Sequence, residues 1–290
     1  IGHEVNGAQR WLPLLGALTV QPSEFAKFAL LLYTAGYLVR QEDAVRHHWQ
    51  GLAKLIFILG IVAFLLLLEP DFGATVIAVG AVVGMMFLAG ARLIYVLALL
   101  ASVALGFLVL VFSAPYRLQR LTAYQDPWSD PFGAGFQLVQ SLIAFGRGEW
   151  FGVGLGNSIQ KLFYLPEAHT DFVFSIWAEE TGLFGALLLI LLFVGLITRI
   201  MQTGWRAAAE GNGFAAYLCF GVGLMFAGQV FINMGASSGL LPTKGLTLPF
   251  VSYGGSSLIM NCALLGIVLR IAQQLRPEQR TDQTVSRRVL

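Results

Sequence analysis

Residues 52–90, LAKLIFILGIVAFLLLLEPDFGATVIAVGAVVGMMFLAG, hold two apolar runs that meet at a turn carrying Glu69, Pro70 and Asp71. Each run is long enough as a helix to cross about 30 Å of hydrocarbon. Working outward from this pair, runs of the same kind occupy 22–39, 52–69, 73–90, 93–112, 172–198, 214–236 and 255–272. Composition agrees: 57% of the 290 residues are hydrophobic and only 12% are charged, with a mean hydropathy of +0.72. Soluble domains carry about 25% charged residues. The expected fold is therefore an all-α polytopic membrane protein, a helical bundle with seven spans and a large external loop, 113–170, between the fourth and fifth.

A net charge of +2 is too small and too scattered for nucleic acid or a polybasic lipid-binding tail. Cys219 and Cys262 both lie in apolar runs and form no disulfide or metal spacing, so they read as packing residues. Orientation follows from the loops. Arg40, Arg46, Lys54, Arg92, Arg199, Arg206, Arg270, Arg276, Arg280, Arg287 and Arg288 fall on one side, eleven basic residues against seven on the other. The positive-inside rule makes the first side cytoplasmic, with the tail 273–290. The chain opens at Ile1 in a polar stretch without an initiator Met or a leading span, so further sequence is expected upstream. Within the large loop, the amphipathic stretch from Phe136 to Phe145 sets Phe136, Val139, Leu142 and Ile143 against Gln137, Gln140 and Ser141, which predicts an ordered, partly membrane-lying segment.

The unusual polar residues gather on the external side. Glu24 and Lys27 lie one helical turn apart inside the first span, either as an interface ion pair or as the lining of a polar cavity. Asp71 after Pro70 reads as a helix N-cap or a functional carboxylate, and Ser256 and Ser257 as a turn and cap or a binding group. Asp171 opens the fifth span behind Glu167 and His169, and it too could be an N-cap. Against that bland reading, Arg117, Arg120, Arg147, Lys161 and Lys244 collect on the same side, opposing the positive-inside trend. Cations beside an isolated carboxylate at a membrane boundary suit a substrate with a lipid tail, a phosphate-bearing head and a proton to be removed. Glu179 and Glu180 lie further along the fifth span and cannot share one face with Asp171, so Glu180 is expected to partner a neighbouring helix.

The motifs NGAQRWL, QPSEFAKFAL, EPDFGAT, FLAGAR, AEETGLFGA and LLPTKGLTLPFVSYGGSS, with DPWSDPFGAGFQLVQSLIAFGRGEWFGVGLGNSIQKLFYLPEAHTDFVF between the fourth and fifth, run in order through nearly the whole chain. Together they resemble the SEDS family of peptidoglycan glycosyltransferases, which includes RodA and FtsW. PEAHTDFVF and PTKGLTLPFVSYGG look like its cell-division, FtsW-type branch. Family members have ten spans, so three are expected before NGAQRWL.

The resemblance implies polymerisation of lipid II on the periplasmic face of the bacterial cytoplasmic (inner) membrane, at the division septum. Asp171 matches the catalytic carboxylate, expected to take the proton from the acceptor's 4-hydroxyl. Glu24 and Lys27 match residues lining the same cavity. Arg147, Lys161, Lys27 and Lys244, or a divalent cation such as Mg2+, are the candidates to neutralise the leaving pyrophosphate. His169, Ser256 and Ser257 complete the expected substrate-binding set, and no spacing specifies a metal site. Implied partners are a class B penicillin-binding protein and other divisome membrane proteins. The alternatives are a lipid II flippase, which needs a polar route through the whole bilayer, and a non-catalytic division scaffold, for which Asp171 would be dispensable.

Overall fold

A computed structural model describes residues 3–5, 8–13, 19–112, 124–242 and 245–276. All seven apolar runs are helices: α1 (Pro22–Arg40), α3 (Gln50–Leu68), α4 (Phe72–Leu88), α5 (Leu93–Phe112), α7 (Val173–Ala209), α8 (Gly213–Ser237) and α9 (Gly255–Gln274). A short α2 (Glu42–His47) links α1 to α3, and α6 (Phe136–Gly148) lies in the large loop. Before α1 comes a feature that the polar sequence there did not signal, a small antiparallel ribbon of β1 (His3–Val5), β2 (Ala8–Pro13) and β3 (Thr19–Val20).

Helix α8 is the axis of the bundle. It packs on α7, α4 and α1, and residues on every side of it are buried. Its sequence is apolar all round and rich in Gly and Ala, which lets neighbouring backbones approach closely where lipid offers no hydrophobic driving force. By contrast α3 and α7 leave long apolar stripes uncovered, among them Phe57, Phe64, Leu68, Leu187, Leu188 and Leu191, as lipid-facing helices do. Cys219 is buried in the core, whereas Cys262 is exposed on α9, so only the first is a packing residue.

The helices alternate in direction, and their ends separate the chain's polar residues into two groups. One end holds α2, where Arg46 donates to the Ala89 carbonyl at the α4–α5 turn. The other gathers the N-termini of α1, α4, α7 and α9 with the C-terminus of α8. There the Gln21 N–H donates to Ser256 Oγ, Ser23 Oγ to Asp71, and Asn233 Nδ2 to the Asp171 carbonyl.

Two expectations from the sequence change. The fifth span is not one straight rod: Gly182 has φ +67°, which divides α7 into an outer segment before it and a longer one after it. The groups released by the break are taken up by the segment after α6. Val153 and Gly154 donate to the carbonyls of Glu179 and Glu180, and Leu183 and Phe184 donate to those of Glu149 and Trp150. Irregular backbone in a membrane protein needs such partners. The face of α6 also differs, because the buried side chains include Leu138, Val139, Ser141 and Ala144 while Ile143 is exposed. Ser141 faces inward because it hydrogen-bonds Ser175 of α7 and the Ser237 carbonyl of α8.

Candidate active site

Asp171 and Asp71 both precede helices, and the structure separates their roles. Asp71 is the N-cap of α4: it is buried, its Oδ1 accepts from the Ala74 N–H at 3.0 Å, and its Oδ2 accepts from Ser23 Oγ at 3.4 Å. Asp171 is not the cap of α7. That position belongs to Phe172, which provides no side-chain cap. The Asp171 carboxylate stands one residue further out, half-buried, beside Gly245: a β-carbon on that glycine would lie 3.1 Å from Asp171 Oδ2.

The turn carrying Asp171 is held by its backbone. Three consecutive carbonyls each accept a hydrogen bond: His169 from the Tyr253 N–H at 2.9 Å, Thr170 from Ser252 Oγ at 2.5 Å, and Asp171 from Asn233 Nδ2 at 3.0 Å. Ser252 and Tyr253 belong to the VSYGGSS stretch, and Asn233 to the outer part of α8. The loop before α9 and the turn before α7 are thereby one unit. Glu167 begins that turn with φ +56°, and its carbonyl accepts from the Asp171 N–H. His169 itself is exposed.

The remaining sequence candidates divide into two groups. Ser256 and Ser257 are buried at the head of α9, Ser256 receiving the Gln21 N–H and Ser257 bonding Thr247 and Asn261. Glu24 and Lys27 form an ion pair of 2.7 Å with both side chains buried, so they are not a solvated interface pair. These groups share the bundle end with Asp171 through the segment 245–248: Gly245 faces Asp171, Leu246 packs on Gly73 beside Asp71, and Thr247 bonds Ser257. Lys244, Arg117 and Arg120 lie outside the described residues.

Arg147 and Lys161 are brought to the broken helix instead. Arg147 pairs with Glu179 at 2.7 Å and Lys161 with Glu180 at 2.7 Å. The partner of Glu180 is thus Lys161 on the short π-helical turn Gln160–Tyr164 of the large loop, not another membrane span, and Gly182 interrupts α7 where the large loop packs against it. Glu179 is fully buried and also accepts from the Ser158 hydroxyl and the N–H groups of Ile159 and Gln160. Among the described residues no three His, Cys, Asp or Glu side chains gather to hold a metal ion.

Sequence reasoning missed Asn233, Ser237, Ser252 and Ser158. The first two had a signal, since polar side chains within an apolar span are costly and usually carry a role. The other two bond backbone or side chains distant in sequence, which no local pattern announces.

The fold and this polar end define a multi-pass helical membrane protein with buried charge at one face. The comparisons define it further. The model of the cell cycle protein family FtsW/RodA/SpoVE matches residues 1–277, and the chain belongs to that family. It is 56% identical over 282 residues to the "Probable peptidoglycan glycosyltransferase FtsW" of Hahella chejuensis, covering 97% of this chain and 71% of that one. With the protein of the same description from Pseudomonas fluorescens it shares 54% over 276 residues, covering 95% and 68%. Among solved structures it resembles a chain of a complex described as "Structural coordination of polymerization and crosslinking by a peptidoglycan synthase complex". That match has a TM-score of 0.75 and 35% identity, covering 96% of this chain and 76% of the other. The rod shape determining protein RodA of Thermus thermophilus matches with a TM-score of 0.65 and 31% identity, covering 96% and 73%.

Proposed function

We propose that this protein polymerises lipid II into β-1,4-linked glycan strands on the periplasmic face of the inner membrane during septal wall synthesis. The observation that carries the reading is the placing of Asp171: a carboxylate not used as the helix cap, on a turn whose three carbonyls are pinned, at the bundle end holding the buried Glu24–Lys27 pair. In this reaction Asp171 accepts the proton of the acceptor's 4-hydroxyl as that oxygen attacks C1 of the donor sugar. The C1–oxygen bond to pyrophosphate breaks, undecaprenyl pyrophosphate leaves, and the single displacement inverts C1.

The leaving group needs its charge balanced more than it needs a proton. Lys27 of α1 and Lys244 are candidates, and Arg147, whose side chain is 38% exposed, keeps donors beyond the one given to Glu179. Lys161 contributes through the loop it fastens to Glu180. His169, Ser256 and Ser257 belong to the substrate surface on this reading. A divalent cation such as Mg2+ enters only as a companion of the pyrophosphate, and no step here runs through it. The similarity to a chain of a peptidoglycan synthase complex supports a class B penicillin-binding protein as partner, with other divisome proteins around it.

The test is polymerisation of purified lipid II by wild type and Asp171→Asn with the partner present. Loss of a positioned general base lowers the rate by about 10²- to 10⁴-fold. Full-length polymer at an unchanged rate in the variant would refute the assignment. Translocation of lipid II in vesicles without any polymer would make the protein a flippase instead.

A further inference from the structure

We infer that Asn233 is a positioning residue for the reaction, setting the place of the Asp171 carboxylate; the inference rests on Asp171 being the base. Asn233 lies on α8 and is 1% exposed. Its single amide nitrogen donates twice, to the Asp171 carbonyl at 3.0 Å and to the Leu246 carbonyl at 2.5 Å. Those carbonyls belong to the two segments whose approach creates the site: the turn before α7 and the segment 245–248, which places Gly245 against the Asp171 carboxylate. One turn further along α8, Ser237 Oγ donates to the Asn233 carbonyl at 2.8 Å and lies 3.5 Å from the same Asp171 carbonyl.

The chemistry of the amide explains why this residue type stands here. Two backbone carbonyls need a donor with two hydrogens on one atom, held rigidly; an asparagine NH2 provides that, while a serine or threonine hydroxyl has one hydrogen. The amide's orientation is decided by its partners, because turning it over would set its oxygen against both carbonyls. In consequence Asn233 Oδ1 is buried without a hydrogen-bond partner. A side chain that leaves its own acceptor unpaired while satisfying two carbonyls serves the segments it joins more than its own helix.

Because α8 is the buried axis of the bundle, the clamp refers the Asp171 turn to a helix enclosed by its neighbours. A misplacement of the order of 1 Å costs such a group about 10²-fold in rate. Asn233 touches neither the acceptor nor the donor in this scheme. Its loss should therefore lower kcat and leave the apparent KM for lipid II nearly unchanged.

The experiment uses the full-length protein with its synthase partner. Asn233→Ser keeps one donor, Asn233→Ala keeps none, and each is also combined with Asp171→Asn; purified lipid II is the substrate. We expect kcat to fall by about 10-fold for Ser and about 10²-fold for Ala, with KM within about 2-fold. Neither change should deepen the loss in the Asp171→Asn background, since residues acting as a unit are not additive. Unchanged kcat in both variants would overturn the proposal. So would a loss that tracks a rise in KM or a fall in thermal midpoint, or one that adds fully to that of Asp171→Asn. Should Asp171→Asn itself remain active, the base assignment fails first, and that result is read from the single variant alone.

Discussion

Arg147 reaches Glu179 from another element, with Nη1 at 2.7 Å from Oε1, and the carboxylate it meets is fully buried on the outer segment of a helix broken three residues later. Removing the arginine leaves a buried carboxylate with the Ser158 hydroxyl and two backbone N–H groups as donors. Breaking a fully buried pair costs about 3–5 kcal/mol; with the guanidinium partly in water and these donors kept, we expect about 2 kcal/mol. Arg147→Met should lower the thermal midpoint, and Arg147→Met with Glu179→Gln should recover most of it. Lipid II polymerisation by that stable double variant then separates the roles: a stable but inactive protein places Arg147 on the leaving group, a stable and active one makes it structural.

Asp71 should behave as a cap. Asp71→Ala removes the acceptor for Ala74 N–H and is expected to cost about 1 kcal/mol, whereas Asp71→Asn, another good capping residue, should cost a few tenths, about 0.3 kcal/mol. Thermal unfolding in detergent measures both. Equal destabilisation by the two changes would show that the carboxylate's charge, not its capping bond, matters there.

Gly182 is required by conformation and by space. Its φ of +67° suits glycine, and a β-carbon would lie 2.5 Å from the Gly152 nitrogen and the Trp150 carbonyl. Gly182→Ala should therefore destabilise the protein by about 2 kcal/mol and free the segment 149–154. Limited proteolysis should cut this segment faster than in wild type; an unchanged cleavage pattern would refute the dependence of segment 149–154 on the break.

Gly245→Ala probes the approach to the carboxylate without touching a hydrogen bond assigned to the turn. The added methyl would stand 3.1 Å from Asp171 Oδ2, tighter than ordinary contact, so the side chain must shift by a few tenths of an ångström. We expect polymerisation to fall by about 10-fold while the thermal midpoint moves little. A variant as active as wild type would show that the carboxylate has room to spare.

The seven helices were legible as apolar runs, and among the described residues four of them, α3, α7, α8 and α9, are long and apolar enough to cross a membrane, where a chain must satisfy its backbone internally. The N-cap of α4 was legible in Pro70-Asp71 as one of two readings. For Asp171 the same local pattern pointed the wrong way: a polar residue before an apolar run resembles a cap, yet Phe172 takes that place. The ion pairs Arg147–Glu179 and Lys161–Glu180 were not legible, because they join residues 32 and 19 positions apart through a loop that docks on a break.

The sequence by itself determined the class of molecule, the helices of its apolar runs and, through its motifs, the family. Those properties follow from local hydropathy and from residue types at short spacing. Which carboxylate caps a helix and which faces the site was decided only in the tertiary structure. So was the joining of the 169–171 carbonyls to Tyr253, Ser252 and Asn233. The reason is physical: a hydrogen bond between segments 62 to 84 residues apart depends on how buried helices pack, and no periodicity within either segment encodes the partner.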